Sequence, residues 1–288
     1  MSNSKSILAC TNHCLTDLQK KEFELLKQFI QICEQLQLRY FLVCGSALGA
    51  VKYQGFIPWD DDIDVALFRE DYEIFLHEAP NLLPSSIFLQ NTYTDPNVPF
   101  IYSKLRDSNT TFVEKPCAEL TMNHGIYIDI FPLDGYPSKR FERAVLELRK
   151  KYYTYLMYTV LDIPRRPYAK LLNALLCFFG KNHHISEVVR KYSEMVSQYL
   201  VSSSNLICNH GNWQGQKEYA EKEQYADGID WIFEGLRVRI PQQYDAYLTQ
   251  KYGDWKSDLP ETQKVGHHSF LICDTNRPYI TYKEERDE

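Results

Sequence analysis

The sequence predicts an α+β fold, in which a mixed β-sheet core is flanked by helices and carries a helical insertion. In the first ~135 residues, short apolar runs of strand length alternate with helical periodicity, as in α/β or α+β domains. From Ser138 to about Ser204 only helical periodicity remains, and strand-like alternation then returns. We therefore expect a core domain over residues 15–137, a helical subdomain over 138–204 and a C-terminal α/β segment over 205–275 that completes the core.

The N-terminal core is predicted from apolar spacing and from the residues that interrupt it. Thr16 or Asp17 provides a helix cap, and Gly45-Ser46 stops the first strand. The predicted elements in chain order are a helix over 15–38, a strand over 40–43, a helix over 47–52, a strand over 63–67, a helix over 70–78, and strands over 87–89, 100–105, 110–113 and 126–131. Pro132 is expected to close the last strand because proline cannot donate to a sheet ladder.

Prolines and glycines delimit the remaining elements. Three helices are predicted in the insertion, over 140–161, 168–179 and 185–200. Residues 235–240 alternate as a strand. Pro241 suits the first turn of a helix that extends to about Lys251 and ends at Gly253.

Composition excludes several classes of protein. Hydrophobic residues make up 44% of the 288 and charged residues 24%, which is typical of a folded globular protein rather than a disordered one. The net charge of -6 argues against a nucleic-acid partner, because phosphate-backbone binding needs a positive surface. A nucleotide bound through a few groups and a metal stays compatible. Aromatic residues reach 14%, so rings are available both for the core and for a ligand surface.

Cysteine usage and apolar runs indicate a cytoplasmic protein. The eight cysteines form no Cys-x-x-Cys pair and no evident disulfide framework, and the N-terminus carries no secretory signal. The Cys10 to Cys14 segment favours a polar tail over a metal site. No apolar run reaches the ~20 residues that cross a bilayer. Residues 171–179 favour a buried helix, while their basic flanks leave open a peripheral contact of residues 165–181 with the inner face of the cytoplasmic membrane.

The segment that indicates chemistry extends from Gly45-Ser46 to Asp64. A strand that ends in Gly-Ser brings backbone N–H groups close to a phosphate. The next strand opens with Asp62 and Asp64, and the two-residue period of a strand places both carboxylates on one face. They repel each other unless a cation joins them, and Mg²⁺ is the natural ion for this task. An acidic run alone would favour a solvated loop. The prediction of a site therefore rests on the run together with the Gly-Ser motif before it and the apolar strand that follows.

A third acid, Asp129, lies in the alternating strand over 126–131. Aspartate is disfavoured among β-branched and aromatic neighbours, and taken alone it leaves a functional and a structural role equally open. Three convergent aspartates beside a Gly-Ser turn fit phosphoryl transfer with two metals, or with one metal and a base. We therefore predict Asp62, Asp64 and Asp129 as catalytic and metal-binding residues, with Mg²⁺ or Mn²⁺ as the cofactor.

These residues resemble a known family. Gly45-Ser46, fifteen residues and then Asp62-Ile-Asp64 resemble the signature of the nucleotidyltransferase superfold. The longer run over 45–64 is similar to the LicD family of phosphocholine transferases, relatives of the fukutin-type sugar-phosphate transferases. Further blocks that resemble the family are Lys104-Leu-Arg106, the segments 125–135, 233–235 and 252–255, and His267-His268. Lys52 departs from the arginine common in the family, which keeps the charge but loses a bidentate fork.

The resemblance implies a nucleotidyltransferase-like catalytic core over 15–137. It implies transfer of phosphocholine from CDP-choline to a sugar hydroxyl of a bacterial surface glycan precursor, of teichoic acid or lipopolysaccharide type, with release of CMP. The acceptor would be a glycan or a lipid-linked saccharide. The implied phosphate- and nucleotide-binding residues are Gly45, Ser46, Lys52, Lys104 and Arg106; for each of the three cations, an ordinary surface role is equally open.

The choline group adds an expectation about aromatic residues. A quaternary ammonium ion donates no ordinary hydrogen bond and is held by aromatic faces. Trp59 and Trp255 are weak candidates for this role, because any one tryptophan is more often a core residue. Glu234, His267 and His268 are further candidates on the strength of their family blocks.

Three alternatives stay open at this point. The transferred group could be ribitol phosphate or glycerol phosphate from its CDP carrier. The enzyme could use a nucleoside triphosphate and release pyrophosphate. The chain could also be a catalytically silent binding module, which three intact aspartates argue against.

Overall fold

The computed structural model describes residues 15–161, 184–212, 215–266 and 268–282. Its centre is a mixed seven-stranded sheet with helices packed against it, so the predicted α+β class is confirmed. The strands are β1 (Tyr40–Leu42), β2 (Asp64–Phe68), β3 (Ile87–Gln90), β4 (Ser103–Asp107), β5 (Thr111–Glu114), β6 (Ile126–Tyr136), β7 (Leu206–Asn209), β8 (Tyr219–Glu221), β9 (Ile229–Phe233), β10 (Leu236–Ile240) and β11 (Phe270–Asp274). The helices are α1 (Asp17–Gln35), α2 (Cys44–Tyr53), α3 (Arg69–Glu78), α4 (Arg140–Val160), α5 (Ile185–Val196), α6 (Lys222–Tyr225) and α7 (Tyr244–Tyr252).

Helix α1 begins where the sequence predicts a cap. The Thr16 hydroxyl accepts a hydrogen bond from the Gln19 backbone N–H at 3.2 Å, and the Gln19 side chain accepts one from the Thr16 backbone at 3.1 Å. This reciprocal capping box satisfies two N–H groups that the helix leaves unpaired. The apolar face of α1, with Leu25, Leu26 and Phe29, is buried in the largest hydrophobic cluster, together with residues of the sheet.

The central sheet has the strand order β1-β2-β6-β4-β3, and β7 and β8 extend it beyond β6. Strands β2 and β6 run parallel, and the other pairs are antiparallel. The long strand β6 is the central strand of the sheet, because it pairs with β2, β4 and β7.

Pro132 does not close β6, contrary to the prediction. The strand continues to Tyr136, and Pro132 is paired with Leu67 of β2. The N–H of Asp129 donates to the Ile63 carbonyl at 2.8 Å, so alternate residues from Asp129 onward point their N–H groups toward β2. Residue 132 faces the opposite edge, at a gap between the pairings of β4 and β7, where no donor is required.

The insertion contributes two packed helices to the described part of the chain. Helices α4 and α5 bury apolar residues in a separate hydrophobic cluster, which includes a stacked Tyr153–Tyr192 pair at 5.6 Å. Helix α5 ends at Val196, earlier than the predicted Leu200. The predicted helix over 168–179 and the possible membrane segment over 165–181 lie outside the described residues. None of the helices that the structure describes combines the length and apolar character needed to cross a membrane.

The C-terminal residues return to the core at two places. Strand β11 pairs with β5, and the hairpin of β9 and β10 packs its buried residues into the cluster of α1. Helix α7 begins at Tyr244, three residues after Pro241, and ends at Gly253 with a positive φ of 72°. Neither β9 nor β11 is predicted by the sequence, since both are too short and too exposed to show a clear alternation.

Candidate active site

Three strands place two aspartates and a lysine in one line across the sheet. Asp64 of β2 lies opposite Asp129 of β6, and Asp129 lies opposite Lys104 of β4. All three residues are buried. The Lys104 ammonium nitrogen is 3.1 Å from Asp129 Oδ1, which makes an ion pair. We call this line, Asp64–Asp129–Lys104, the charged row.

The Gly-Ser motif supports the row from the side. It lies in the first turn of α2, which begins at Cys44, so the predicted strand–turn is in fact a strand–helix junction. The Ser46 hydroxyl accepts a hydrogen bond from the Asp64 backbone N–H at 2.8 Å. A Cβ atom at Gly45 would lie 2.7 Å from a carboxylate oxygen of Asp60, so only glycine lets the acidic loop approach α2 this closely.

The backbone is strained just before this motif. Cys44 has a φ of 51°, a left-handed conformation that residues with a side chain rarely adopt. Its N–H donates to the Tyr247 hydroxyl at 2.9 Å, which helps to hold the conformation. Strain of this kind accumulates at functional sites, where the surroundings enforce it.

A second group of acids borders the row. Asp61 and Asp62, both half-buried, and His268 each offer one possible metal-ligand atom, and these atoms lie within 4.8 Å of one another. His268 also donates its backbone N–H to Asp61 at 3.1 Å, and its Nδ1 lies 3.1 Å from the other Asp61 oxygen. A Cβ atom at Gly266 would lie 2.7 Å from Asp61, so the glycine allows the loop before β11 to close over the acids.

The pKa values reflect the concentration of negative charge around the charged row. Burial, followed by the charges of Asp62 and Asp129, raises the pKa of Asp64 well above its usual range. Burial and the charge of Asp62 raise the pKa of Asp60 to about 8. Burial also raises the pKa of Asp129, although Lys104 opposes the shift.

Glu22 of α1 joins this acidic group, and the sequence analysis missed it. It is buried, and its Oε2 atom has no hydrogen-bond partner among the described residues. Burial and the charges of Asp62 and Asp60 raise its pKa well above the ordinary value. One signal was available: Glu22 lies three and four residues before Leu25 and Leu26, on the apolar face of the helix.

The donor set fits a hard divalent cation. The candidate ligands are carboxylates and one imidazole, and carboxylate oxygens are the ligands that Mg²⁺ prefers. Asp129 Oδ1 makes no aligned hydrogen bond in the described structure despite its ion pair with Lys104, so it keeps acceptor capacity. Carboxylates whose pKa is raised by burial and by neighbouring acids would be stabilised in their ionised form by an added positive charge. Among the described residues the group whose ligand atoms lie within 4.8 Å of one another is Asp61, Asp62 and His268, while the predicted set of Asp62, Asp64 and Asp129 is not found as such a group and stays a prediction.

Glu114 is a further acid that the sequence analysis did not select. Its Oε2 lies 3.5 Å from the Lys104 ammonium and 3.8 Å from an Arg106 nitrogen. Burial disfavours its ionisation, but the charges of Lys104 and Arg106 outweigh burial and lower its pKa to about 2. Glu114 is therefore a second carboxylate partner of Lys104, beside Asp129.

Two of the predicted phosphate-binding cations have protein partners in the structure. Arg106 is fully buried and donates to the Gly125 carbonyl at 2.6 Å and to the Gln90 side chain, so it is not exposed to a phosphate here. Lys52 pairs with Asp258 at 2.9 Å and donates to the Ser257 carbonyl at 2.8 Å. In the structure Arg106 supports the strands beside the row and Lys52 holds the 256–258 loop, and phosphate binding by either cation stays a prediction.

Glu234 likewise supports a loop. Its carboxylate accepts a hydrogen bond from the Phe56 N–H at 3.1 Å, and its N–H donates to the Gln54 carbonyl at 2.8 Å. A Cβ atom at Gly55 would lie 1.9 Å from the same carboxylate. The role supported by these contacts is the positioning of the loop that leads to the acids.

The aromatic and histidine residues predicted as ligands have different surroundings in the structure. Trp59 is half-buried directly before Asp60, and the Lys264 ammonium lies 5.4 Å from its ring centroid, so its face accepts a cation. Trp255 packs against the cluster under α2 and has the Lys256 ammonium 5.2 Å from its ring. For His268, burial lowers the pKa, but the hydrogen bond to Asp61 and the charge of Asp62 outweigh it and raise the pKa to about 9. His267 lies outside the described residues.

A cavity of 420 Å³ opens beside the row. Lys104 and Glu114 contribute to its wall, and α4 contributes another side. Its aromatic lining consists of Phe100, Tyr102, Tyr155, Tyr158 and Tyr192. Space of this size suits one small organic ligand or part of a larger one.

Comparison with known proteins identifies the chain as a transferase with a nucleotidyltransferase domain, in keeping with the paired aspartates beside the Gly-Ser start of α2. Residues 37–172 match the family model described as LicD/FKTN/FKRP, nucleotidyltransferase domain. The chain is 28% identical over 257 residues to the lipopolysaccharide cholinephosphotransferase LicD of Haemophilus influenzae, covering 85% of this chain and 92% of that protein. An uncharacterized protein of Rickettsia prowazekii is 33% identical over 135 residues, which is 45% of each chain. Residues 37–172 therefore carry a domain of the LicD/FKTN/FKRP nucleotidyltransferase type, and the chain is similar to a LicD cholinephosphotransferase over most of its length.

Proposed function

We propose that this chain transfers phosphocholine from CDP-choline to a sugar hydroxyl of a bacterial cell-surface glycan precursor, with release of CMP. The observation that carries the proposal is the charged row Asp64–Asp129–Lys104, bordered by Asp61 and Asp62. The name of the Haemophilus influenzae relative, a lipopolysaccharide cholinephosphotransferase, supports the transferred group and an acceptor of lipopolysaccharide type. A teichoic acid type of acceptor is the second member of the same class.

The aspartates would bind the donor through a cation. Asp62, Asp64 and Asp129 would hold Mg²⁺ or Mn²⁺, which when bound neutralises the charge of a diphosphate and polarises its phosphorus. Ser46 fixes the backbone of Asp64, so the carboxylate keeps its direction. The backbone N–H groups of Gly45 and Ser46, in the first turn of α2, are free of intrahelical partners and suit a phosphate oxygen.

The proposed transfer is a direct displacement at phosphorus. The oxygen of the sugar hydroxyl forms a bond to the phosphorus that bears choline, and the bond from that phosphorus to the CMP oxygen breaks. The hydroxyl proton goes to a carboxylate, and Asp129 on the row would either take this proton or complete the shell of the cation. Lys104, held by Asp129 and Glu114, offsets the charge that develops on the phosphate oxygens.

Choline requires aromatic contact rather than a hydrogen-bond acceptor. Trp59, beside the acids, keeps its place as a choline ligand in this proposal, and Trp255 is its weaker partner. A cytoplasmic location at the inner face of the membrane would give access to both a nucleotide donor and a lipid-linked acceptor.

The test is donor consumption by the purified protein. CDP-choline, CDP-ribitol and CDP-glycerol are each incubated with Mg²⁺ or Mn²⁺ and a saccharide acceptor extracted from the bacterial envelope, and CMP release is measured. We expect release from CDP-choline and retention of labelled choline on the acceptor. Asp64→Asn and Asp129→Asn should each lower the rate by at least about a hundredfold, because each removes a charge from the reacting site. Asp245→Asn, an exposed aspartate paired with Lys256, is the matched control and should keep the wild-type rate.

Other outcomes separate the alternatives. CMP release from CDP-ribitol or CDP-glycerol alone would replace choline by another phospho-alcohol. Release of pyrophosphate from a nucleoside triphosphate would identify a nucleotidyltransferase. Wild-type rates in both aspartate variants would overturn the assignment of the row as the reacting site.

A further inference from the structure

Helix α4 carries an apolar stripe on its outer face. Phe141 is 80% exposed, Val145 39%, Leu148 70% and Tyr152 48%. Their spacing of four, three and four residues places them along one side of the helix. Large apolar side chains this exposed are common singly, but a continuous row of four on one helix indicates a surface that meets an apolar partner. We call this row the α4 stripe.

Basic residues border the α4 stripe on both sides. At 100° per residue, Arg140 and Lys151 lie next to it on one side and Arg149 on the other, and all three are exposed. The helix contains five basic and two acidic residues, a net charge of +3, in a chain whose net charge is -6. Both acids have cationic neighbours, since Glu142 pairs with Lys139 and Glu147 with Lys150. The helix is therefore a positive, apolar surface on an otherwise acidic protein.

We propose that the α4 stripe binds the surface of a bilayer that contains anionic lipids. Aromatic and aliphatic side chains flanked by arginine and lysine are the composition of helices that lie in a membrane interface. The long basic side chains can reach the headgroups while Phe141 and Leu148 enter the acyl boundary. A protein partner or a second copy of this chain would account for the apolar stripe alone. An anionic bilayer accounts for the stripe and also for the cations on both sides of it. The proposal does not depend on the transferase activity.

Contact of the α4 stripe with a bilayer would place the cavity close to the membrane surface. Two residues of α4 that line the 420 Å³ cavity, Lys151 and Tyr155, lie next to the stripe on the helix surface. A bilayer against the stripe would therefore bring a lipid-borne ligand close to the cavity and the charged row. The described residues contain no membrane-spanning helix, so a surface contact of this kind would hold the chain at the bilayer.

The test is flotation of the full chain with vesicles. Vesicles of phosphatidylcholine alone are compared with vesicles that also contain phosphatidylglycerol, at low and high salt. We expect binding to the anionic vesicles and its loss near 1 M salt, where the screening length falls to about 3 Å. The Phe141→Ser/Leu148→Ser variant should bind at least about tenfold more weakly, because two apolar side chains are removed from the contact. Arg140→Gln/Arg149→Gln should weaken binding roughly fivefold for each cation removed.

Controls separate the contact from folding and from self-association. Ile74→Ser changes an exposed apolar residue on α3 and should bind vesicles like the wild type. Circular dichroism should be unchanged in each variant, since the substituted side chains are exposed. Failure of the wild type to float with anionic vesicles would overturn the proposal. So would unchanged binding by Phe141→Ser/Leu148→Ser, or a wild-type dimer that this variant abolishes and that does not bind vesicles.

Discussion

Replacing Lys104 by methionine tests whether the charged row is held by its cation. The ammonium lies 3.1 Å from Asp129 and 3.5 Å from Glu114, and its side chain is 3% exposed. At an effective dielectric constant of about 20, charges 3.1 Å apart attract by about 5 kcal/mol before the cost of desolvation. Removing one partner of a buried ion pair costs about 3–5 kcal/mol, because the other charge stays buried. Arg106, 3.8 Å from Glu114, partly compensates that carboxylate. We expect a loss of about 3 kcal/mol, at the lower end of this range.

The assay is urea unfolding followed by tryptophan fluorescence in the presence of EDTA, so that no bound cation replaces the lysine charge. Lys115→Met is the matched control, because Lys115 is an exposed lysine close to Glu114 in the chain. It should stay within about 0.5 kcal/mol of the wild type, the usual range for surface substitutions. A Lys104→Met protein as stable as this control would refute the reasoning, since the ammonium would then contribute no net stability to the row.

Two further predictions concern the supports of the row. Glu114→Gln should lower the free energy of unfolding at pH 7, because the folded-state pKa of Glu114, about 2, lies below its unfolded value. That contribution is present above the unfolded pKa and is lost as the pH falls toward 2, so urea unfolding of the wild type and the variant should converge between about pH 4.5 and pH 2; a gap that stays constant would contradict this linkage. Ser46→Ala should cost about 1–3 kcal/mol, because the buried N–H of Asp64 loses its acceptor. Ser257→Ala, at an exposed hydroxyl, is the control in the same denaturation assay.

The sequence was informative where chemistry is local. The two-residue period predicted Asp62 and Asp64 on one face of a strand; in the structure the strand begins at Asp64, and Asp62 lies in the loop before it. The cap of α1 was predicted at Thr16 or Asp17, and the structure places it at Thr16. Pairing across strands was not visible, because the register that places Asp64, Asp129 and Lys104 side by side depends on how three distant segments align.

The role of a cation depends on what packs around it, which no local pattern records. Lys104 and Arg106 alternate on one strand and look equivalent in the sequence. In the structure both approach Glu114, but Lys104 reaches Asp129 while Arg106 is fully buried against the Gly125 carbonyl. Lys52 and Glu234 similarly have partners more than 170 positions away in the chain. Such long-range partners decide whether a charged side chain binds a ligand or supports a loop.

The balance of charge around the charged row bears on the proposal that a chain of net charge -6 binds a diphosphate donor. Glu22, Asp60, Asp64 and Asp129 all have raised pKa values, with burial as the first cause in each. Lys104 lies on the row, but it is shared with Glu114, so it offsets only part of this negative charge. A divalent cation would complete the compensation and also present positive charge to a phosphate ligand. The acids that make the chain negative are therefore the groups through which we expect it to hold an anionic substrate.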